Sequence, residues 1–213
     1  TRCIAKYVYD NGLTDKTTIT LETLGGIKTI DMTVVDGKVT EAVVDMGEPI
    51  FRTKEIPMIS DHYVFMDQGL VIDDNLTYNG TAVSMGNPHF VIFVDDVDSL
   101  KLEEIGPLIE THPLFPERTN VEFVQGIDDN AVKFRVWERG SGETWACGTG
   151  ACAVTVTSIF LSKAGKKDQE LNVLVKGGKL KVTYRSDNHV FLKGPATHVF
   201  DGVIEIPEEI LNK

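Results

Sequence analysis

Cys147 stands in the stretch Trp145-Ala146-Cys147-Gly148-Thr149-Gly150-Ala151-Cys152-Ala153, a thiol set among small residues and glycines directly ahead of an apolar run. Residues 149–164 read as a helix stopped by Gly165, with Lys166 and Lys167 beside its negative end. Cys147 then lies at the helix N-terminus, where unpaired N–H groups and the positive end of the dipole favour an anion, either a thiolate or a substrate carboxylate. Such a position draws a thiol down from its ordinary pKa of about 8.5 towards neutrality, which makes Cys147 a candidate base or nucleophile. The competing reading is a small buried hydrophobe, and position alone weighs the two evenly. Cys152, inside the apolar helix face, reads as packing.

The elements that must hold this loop follow in order. Residues 2–9 read as the body of a helix that ends before Asp10-Asn11-Gly12. Alternation over 17–24, a turn at Gly25-Gly26, a return over 27–35 and a turn at Asp36-Gly37 before 38–45 describe a three-strand meander. Residues 46–80 carry prolines and scattered charges and suit a connection between domains followed by an edge hairpin. Strands at 81–84 and 90–94 flank Gly86-Asn87-Pro88-His89, and 102–112 reads as an amphipathic helix interrupted by Pro107. Two further strands, 120–124 and 132–137, are joined through Asp128-Asp129-Asn130. The polar loop Glu138-Arg139-Gly140-Ser141-Gly142-Glu143-Thr144 then delivers the chain to Cys147.

The last third repeats the first. Gly150-Ala151-Cys152-Ala153 parallels Thr1-Arg2-Cys3-Ile4, Leu174-Val175-Lys176-Gly177-Gly178-Lys179-Leu180 parallels Glu22-Thr23-Leu24-Gly25-Gly26-Ile27-Lys28, and Phe191-Leu192-Lys193-Gly194-Pro195 parallels Val44-Asp45-Met46-Gly47-Glu48-Pro49. This describes an internal duplication of a helix-plus-meander unit. A helix apolar nearly all round has to be buried on all sides, so strands wrapped around a central helix are the expected unit. The counterpart of Cys147 would fall before Thr1, and the expectation is a fragment of a longer protein, cut inside its first helix.

Composition limits the function. The chain has 213 residues and 42% apolar content, enough for a real core. Its net charge is −11 and it has no basic stripe, which argues against nucleic acid. Three cysteines without CxxC pairs or disulfide spacing fit a reducing compartment and carry no metal-site signal. No apolar run approaches the length of a membrane span. The cytoplasm is the expected location.

Two thiols at helix N-termini, on opposite faces of one cleft, could move a proton off a carbon and return it from the other side. Gly86-Asn87-Pro88-His89, Pro116-Glu117-Arg118-Thr119-Asn120, Glu138 to Thr144 and Ala146 to Ala153 together resemble the diaminopimelate epimerase family in order and spacing, and 194–202 resembles its C-terminal strand. The resemblance covers essentially the whole chain. It implies an α/β (α+β) fold of two pseudo-symmetric domains, each of mostly antiparallel strands around a central helix: 49–194 as the C-terminal domain, with 1–48 plus 195–213 as an incomplete N-terminal one. It also implies cofactor-independent interconversion of LL- and meso-diaminopimelate for lysine and cell-wall precursor synthesis, without metal, pyridoxal phosphate or nucleotide, and a homodimer. Cys147 matches the second catalytic cysteine. Gly148 and Thr149 match the residues that hold the reacting carboxylate, Asn87 and Asn120 match substrate-binding asparagines, and Glu138 with Arg139 match the pair that grips the distal amino-acid end. His89 lies in the motif as a lining residue. Cys3 matches the family's non-catalytic cysteine, and the first catalytic cysteine is not in this sequence, so the isolated chain is expected to show little or no epimerase activity.

Other readings remain open. Glu138 and Arg139 also suit a solvated ion pair, Asn87 before Pro88 a common turn, and Asn120 a strand edge. Gly148-x-Gly150-x-x-Ala153 with Asp168 formally fits a dinucleotide fingerprint, although a polar loop rather than a strand precedes it. Cys147 with His89 would also serve a cysteine-nucleophile acyl-transfer enzyme. A non-catalytic binding module would leave Cys147 an ordinary thiol.

Overall fold

Alternating side chains and tight turns put most of this chain into strands. The computed structural model describes residues 1–23, 25–207 and 210. In order the elements are α1 (Arg2–Asp10), β1 (Thr18–Thr23), β2 (Gly26–Val35), β3 (Lys38–Asp45), a short 3-10 helix (Thr53–Glu55), β4 (Gln68–Asp73), β5 (Leu76–Ser84), β6 (Pro88–Phe93), α2 (Leu102–Glu110), β7 (Asn120–Asp128), β8 (Ala131–Glu138), β9 (Gly142–Thr144), α3 (Gly148–Phe160), β10 (Glu170–Val175), β11 (Gly178–Tyr184) and β12 (Val190–Pro195). The strands form a 12-stranded sheet in the order β1-β2-β3-β12-β11-β10-β8-β7-β6-β5-β4, with β9 on β8. Pairing is parallel between β6 and β7 and between β8 and β10, and antiparallel elsewhere.

The duplication is visible in this order. α1 followed by β1, β2 and β3 has the same sequence of elements as α3 followed by β10, β11 and β12. The two meanders join edge to edge where β3 runs antiparallel to β12, with Ala42 opposite Gly194 and Val44 opposite Leu192. Outward from that seam the strand order is the same in both directions.

Helix α3 is apolar on every side and is buried accordingly. Val83, Val91, Val124, Phe134 and Val136 reach it from one set of strands, and Leu171, Val173, Val182, Val190 and Leu192 from the other. Strand residues of opposite parity face away from α3. Phe90, Ile92, Val121 and Phe123 form a second core with Leu102 and Ile109 of α2, because successive side chains alternate between the two faces of a strand. Gly106 in α2 lets that helix approach Trp137: an added Cβ would lie 2.5 Å from the indole.

Three expectations change. The helix after Cys147 stops at Phe160, short of Ala164, because Ser162 takes φ +54°. The Ser162 and Lys163 amides then bond back to Ile159 and Ser158 carbonyls at 3.2 and 2.8 Å, a Schellman ending. Within the polar loop, Gly142–Thr144 pairs with β8 as a strand. The C-terminal strand expected over 194–202 ends at Pro195, and 196–207 has no regular structure. β3 and β11 flank β12, but no strand edge pairs with the residues beyond it among the described residues. Leu24, placed by the sequence in the first strand, lies outside the described residues. Among those residues no helix is long and apolar enough to cross a membrane.

Candidate active site

Strand parity brings the candidate residues together. Because Val91, Val124 and Val136 face α3, His89 on β6, Asn120 and Glu122 on β7 and Glu138 on β8 lie on the same face. His89 stands opposite Asn120 and Glu122 opposite Val136. The N-terminus of α3 closes over this row.

Cys147 is the N-cap of α3, in extended conformation, and its sulfur accepts from the Gly150 amide at 3.3 Å. The Thr149 hydroxyl is 3.4 Å from the sulfur. The small residues seen in the sequence therefore have a local purpose. Gly150 leaves a gap between two groups: a Cβ there would sit 2.7 Å from Glu122 Oε1 and 3.2 Å from Cys147 Sγ.

The electrostatic expectation for the thiol is overturned. Burial pushes the Cys147 thiol up to about 12, the negative charges of Glu122 and Glu138 add to the rise, and the Thr149 and Gly150 donors offset only part of it. Only 6% of Cys147 is exposed, so desolvation of the charged form outweighs the helix terminus. Cys152 is fully buried one turn on and is pushed up further, mainly by burial.

Beneath the sulfur, His89 Nδ1 meets Glu122 Oε1 at 2.6 Å, both side chains are completely buried, and His89 Nε2 meets Asn87 Oδ1 at 3.0 Å. Glu122 Oε2 is buried without a partner among the described residues. Sequence reading passed over Glu122. The available signal was a carboxylate between Val121 and Phe123 in an otherwise apolar strand, at a position whose parity faces the helix.

The remaining expected residues flank this centre. Asn120 donates to the Pro88 carbonyl at 2.8 Å and accepts from the Arg139 amide at 2.9 Å, which leaves one N–H and one lone pair for a ligand. Glu138 accepts from the Thr144 hydroxyl, and the Arg139 guanidinium donates to the Glu117 carbonyl at 3.1 Å. Glu138 is half-buried and Arg139 is exposed, and they are not paired with each other, contrary to the ion-pair reading. Their loop is pinned by Glu110, also missed in the sequence, which accepts from Gly140 N at 2.8 Å and Trp137 Nε1 at 2.7 Å. Asp168 bonds to Ser186, and the strand ahead of α3 is the three-residue β9, antiparallel to β8 rather than part of a parallel strand–helix–strand unit, so the dinucleotide pattern finds neither its fold context nor its ribose acid here. No cluster of metal-binding side chains occurs among the described residues. A surface cavity of about 620 Å³ lies elsewhere, between α1 and 196–201, and is lined by Cys3, Lys6, Tyr7 and His198.

Helix-centred strands under a buried thiol define a fold seen in epimerases. A hydroxyproline epimerase from Agrobacterium vitis superposes with a TM-score of 0.68 at 14% identity, over 93% of this chain and 64% of its own, a likeness of fold. The family profile described as diaminopimelate epimerase matches residues 81–199. The diaminopimelate epimerase of Methanococcus maripaludis is 51% identical over 206 residues, 96% of this chain and 73% of the relative. That of Agathobacter rectalis is 51% identical over 212 residues, with the same coverage. The chain belongs to the diaminopimelate epimerase family, a family of isomerases acting on a small molecule. It spans 73% of the length of these curated relatives and just under two thirds of the solved epimerase chain.

Proposed function

We propose that the chain serves the interconversion of LL- and meso-diaminopimelate, with Cys147 exchanging the proton on one face of the reacting α-carbon. The observation that carries this reading is the Cys147 sulfur at the N-cap of α3, between the Gly150 amide and the Thr149 hydroxyl. The thiol starts protonated, so it is ready to deliver a proton to a carbanion. The amides of Gly148 and Thr149, in the first turn of the helix and outside its own ladder, face an α-carboxylate and the charge that spreads into it. Asn87 and Asn120 then bind the substrate, and Glu138 with Arg139 grip its distal amino-acid end. The thiol is itself the acid and base, so this reading needs no metal or pyridoxal phosphate.

Inversion needs a second acid on the opposite face. The other two thiols are Cys152, buried inside α3, and Cys3, exposed and lining the cavity beside α1. The expected behaviour of this chain is therefore exchange without efficient inversion. The same reading divides the chain into 1–48 with 195–213 and 49–194, places it in the cytoplasm as a homodimer, and gives it no nucleic-acid partner. The test is incubation with each diaminopimelate stereoisomer in heavy water, following the α-proton by NMR and configuration by chiral chromatography. We expect α-proton loss, reduced at least 100-fold by Cys147→Ala, on the scale of losing a general acid–base group. Exchange that survives Cys147→Ala would refute the assignment.

A further inference from the structure

Glu122 is the one buried carboxylate of the site for which proton exchange at Cys147 gives no obvious use. It sits at 0% exposure on the α3 face of β7, where a carboxylate is costly to bury and needs its hydrogen bonds made. His89 fixes Oε1 at 2.6 Å, and Asn87 holds the far side of the imidazole at 3.0 Å. Oε2 has no partner among the described residues. Gly150 is the only residue type that leaves the space between carboxylate and sulfur open, because any Cβ there would come within 2.7 Å of Oε1.

We propose that Glu122 is a positioning residue for Cys147: a carboxylate locked by His89 and facing the sulfur across Gly150, it keeps Cys147 a thiol at rest and makes its thiolate a stronger base. The carbon acid to be deprotonated is weak, and a base gains rate as its proton affinity approaches that of the carbon. The Glu122 carboxylate across a buried gap supplies that affinity, because charges interact more strongly away from bulk water. The other groups around the sulfur divide by sign. Glu138 at the end of β8 also opposes the thiolate, whereas the Thr149 hydroxyl and the Gly150 amide favour it. Cys152 lies one turn on in α3, within the fields of Arg2 from α1 and Lys28 from β2. Glu122 faces the sulfur across Gly150, and its Oε1 is held there by His89.

The proposal rests on the reading of Cys147 as the proton-exchanging group, but its test reads the sulfur rather than turnover. The two can therefore fail separately. Iodoacetamide alkylation of the Cys147 peptide, followed by mass spectrometry across pH, reports the thiolate fraction. In Glu122→Gln the rate at a fixed pH below the thiol's titration is expected to rise at least tenfold, one pKa unit of added thiolate. Glu122→Asp, which keeps the charge, is expected to return most of the way to the unmutated profile. A folded Glu122→Gln chain whose profile overlays the unmutated one overturns the proposal, as does an aspartate that behaves like glutamine. If neither variant folds, carbon-13-labelled glutamate in the unmutated chain decides it: a Glu122 Cδ resonance that is ionised at pH 7 supports the proposal, because the charge facing the sulfur is then present, and a protonated one overturns it.

Discussion

In α3 the run from Gly150 to Ser158 is buried without a break, whereas in α1 only Ala5 is. The two helices head units with the same order of elements, yet one is enclosed by strands on all sides and the other leaves Ile4 and Tyr7 exposed. Around α1 the buried core is limited to Ala5, Ile30, Met32, Val39, Ala42 and Val44. The proposed chemistry lies in the enclosed unit. A thiol at its helix start is dried and held by packing from many strands, and that burial is what moves the sulfur away from an ordinary cysteine. The topology of a repeat thus fixes where a helix terminus points, and the depth of packing around it fixes what the terminus can do.

The comparison is tested most severely at matched core positions. Leu171 in β10 is completely buried, and Ile19, at the corresponding place in β1, is half-buried. Leu171→Ala removes transfer free energy and leaves a cavity in a core that cannot collapse, which costs about 2–5 kcal/mol. Ile19→Ala is expected to cost about 1 kcal/mol, because part of the side chain already meets water. Urea denaturation of both variants measures the difference. Equal costs would mean that the two units are packed alike, whatever the exposure of their helices.

The sequence made much of this order legible, for physical reasons that differ by element. The meanders were readable because Gly26, Gly37 and Gly178 sit at positive φ, between strands of alternating residues. The end of α3 was not, because Ser162 takes a left-handed conformation that sequence statistics assign to Gly165. Cys147 was found by its glycines, but the direction of its titration was misjudged, since helix position can be read locally and burial cannot. Glu122 and Glu110 were missed for the same reason. Each acts through partners distant in sequence, His89 and Gly150 for one and Trp137 and Gly140 for the other.

A second contrast lies at the helix ends. The residue at positive φ just past α1 is Gly12, at 71°, while past α3 it is Ser162, at 54°. A left-handed conformation costs an L-residue with a Cβ about 1 kcal/mol relative to glycine. Ser162→Gly is therefore expected to stabilise the chain by up to about 1 kcal/mol, and Gly12→Ala to destabilise it by a similar amount. Thermal melts of the two variants should move in opposite directions. Shifts in the same direction would show that something other than backbone conformation governs these turns.

The smallest expected effect lies at the seam between the units. His189, just before β12, is 3.0 Å from Asp45 at the end of β3, so the pair ties one meander to the other. The hydrogen bond that His189 donates to Asp45, together with the Asp45 charge, raises the His189 pKa above its ordinary 6.5. The folded chain thus holds this proton more tightly than the unfolded one. The stabilisation is complete below about pH 6.5 and is lost as pH rises through the raised folded value. With 40% of the imidazole exposed, solvent and salt screen the pair, and its worth is held to under about 1 kcal/mol. Denaturant midpoints across that window are expected to fall slightly with rising pH in the unmutated chain, with a smaller fall in His189→Gln and in high salt. An undiminished slope in His189→Gln would place the pH dependence elsewhere and leave the seam to its backbone pairing and to Lys193, which spans Glu41 and Glu170.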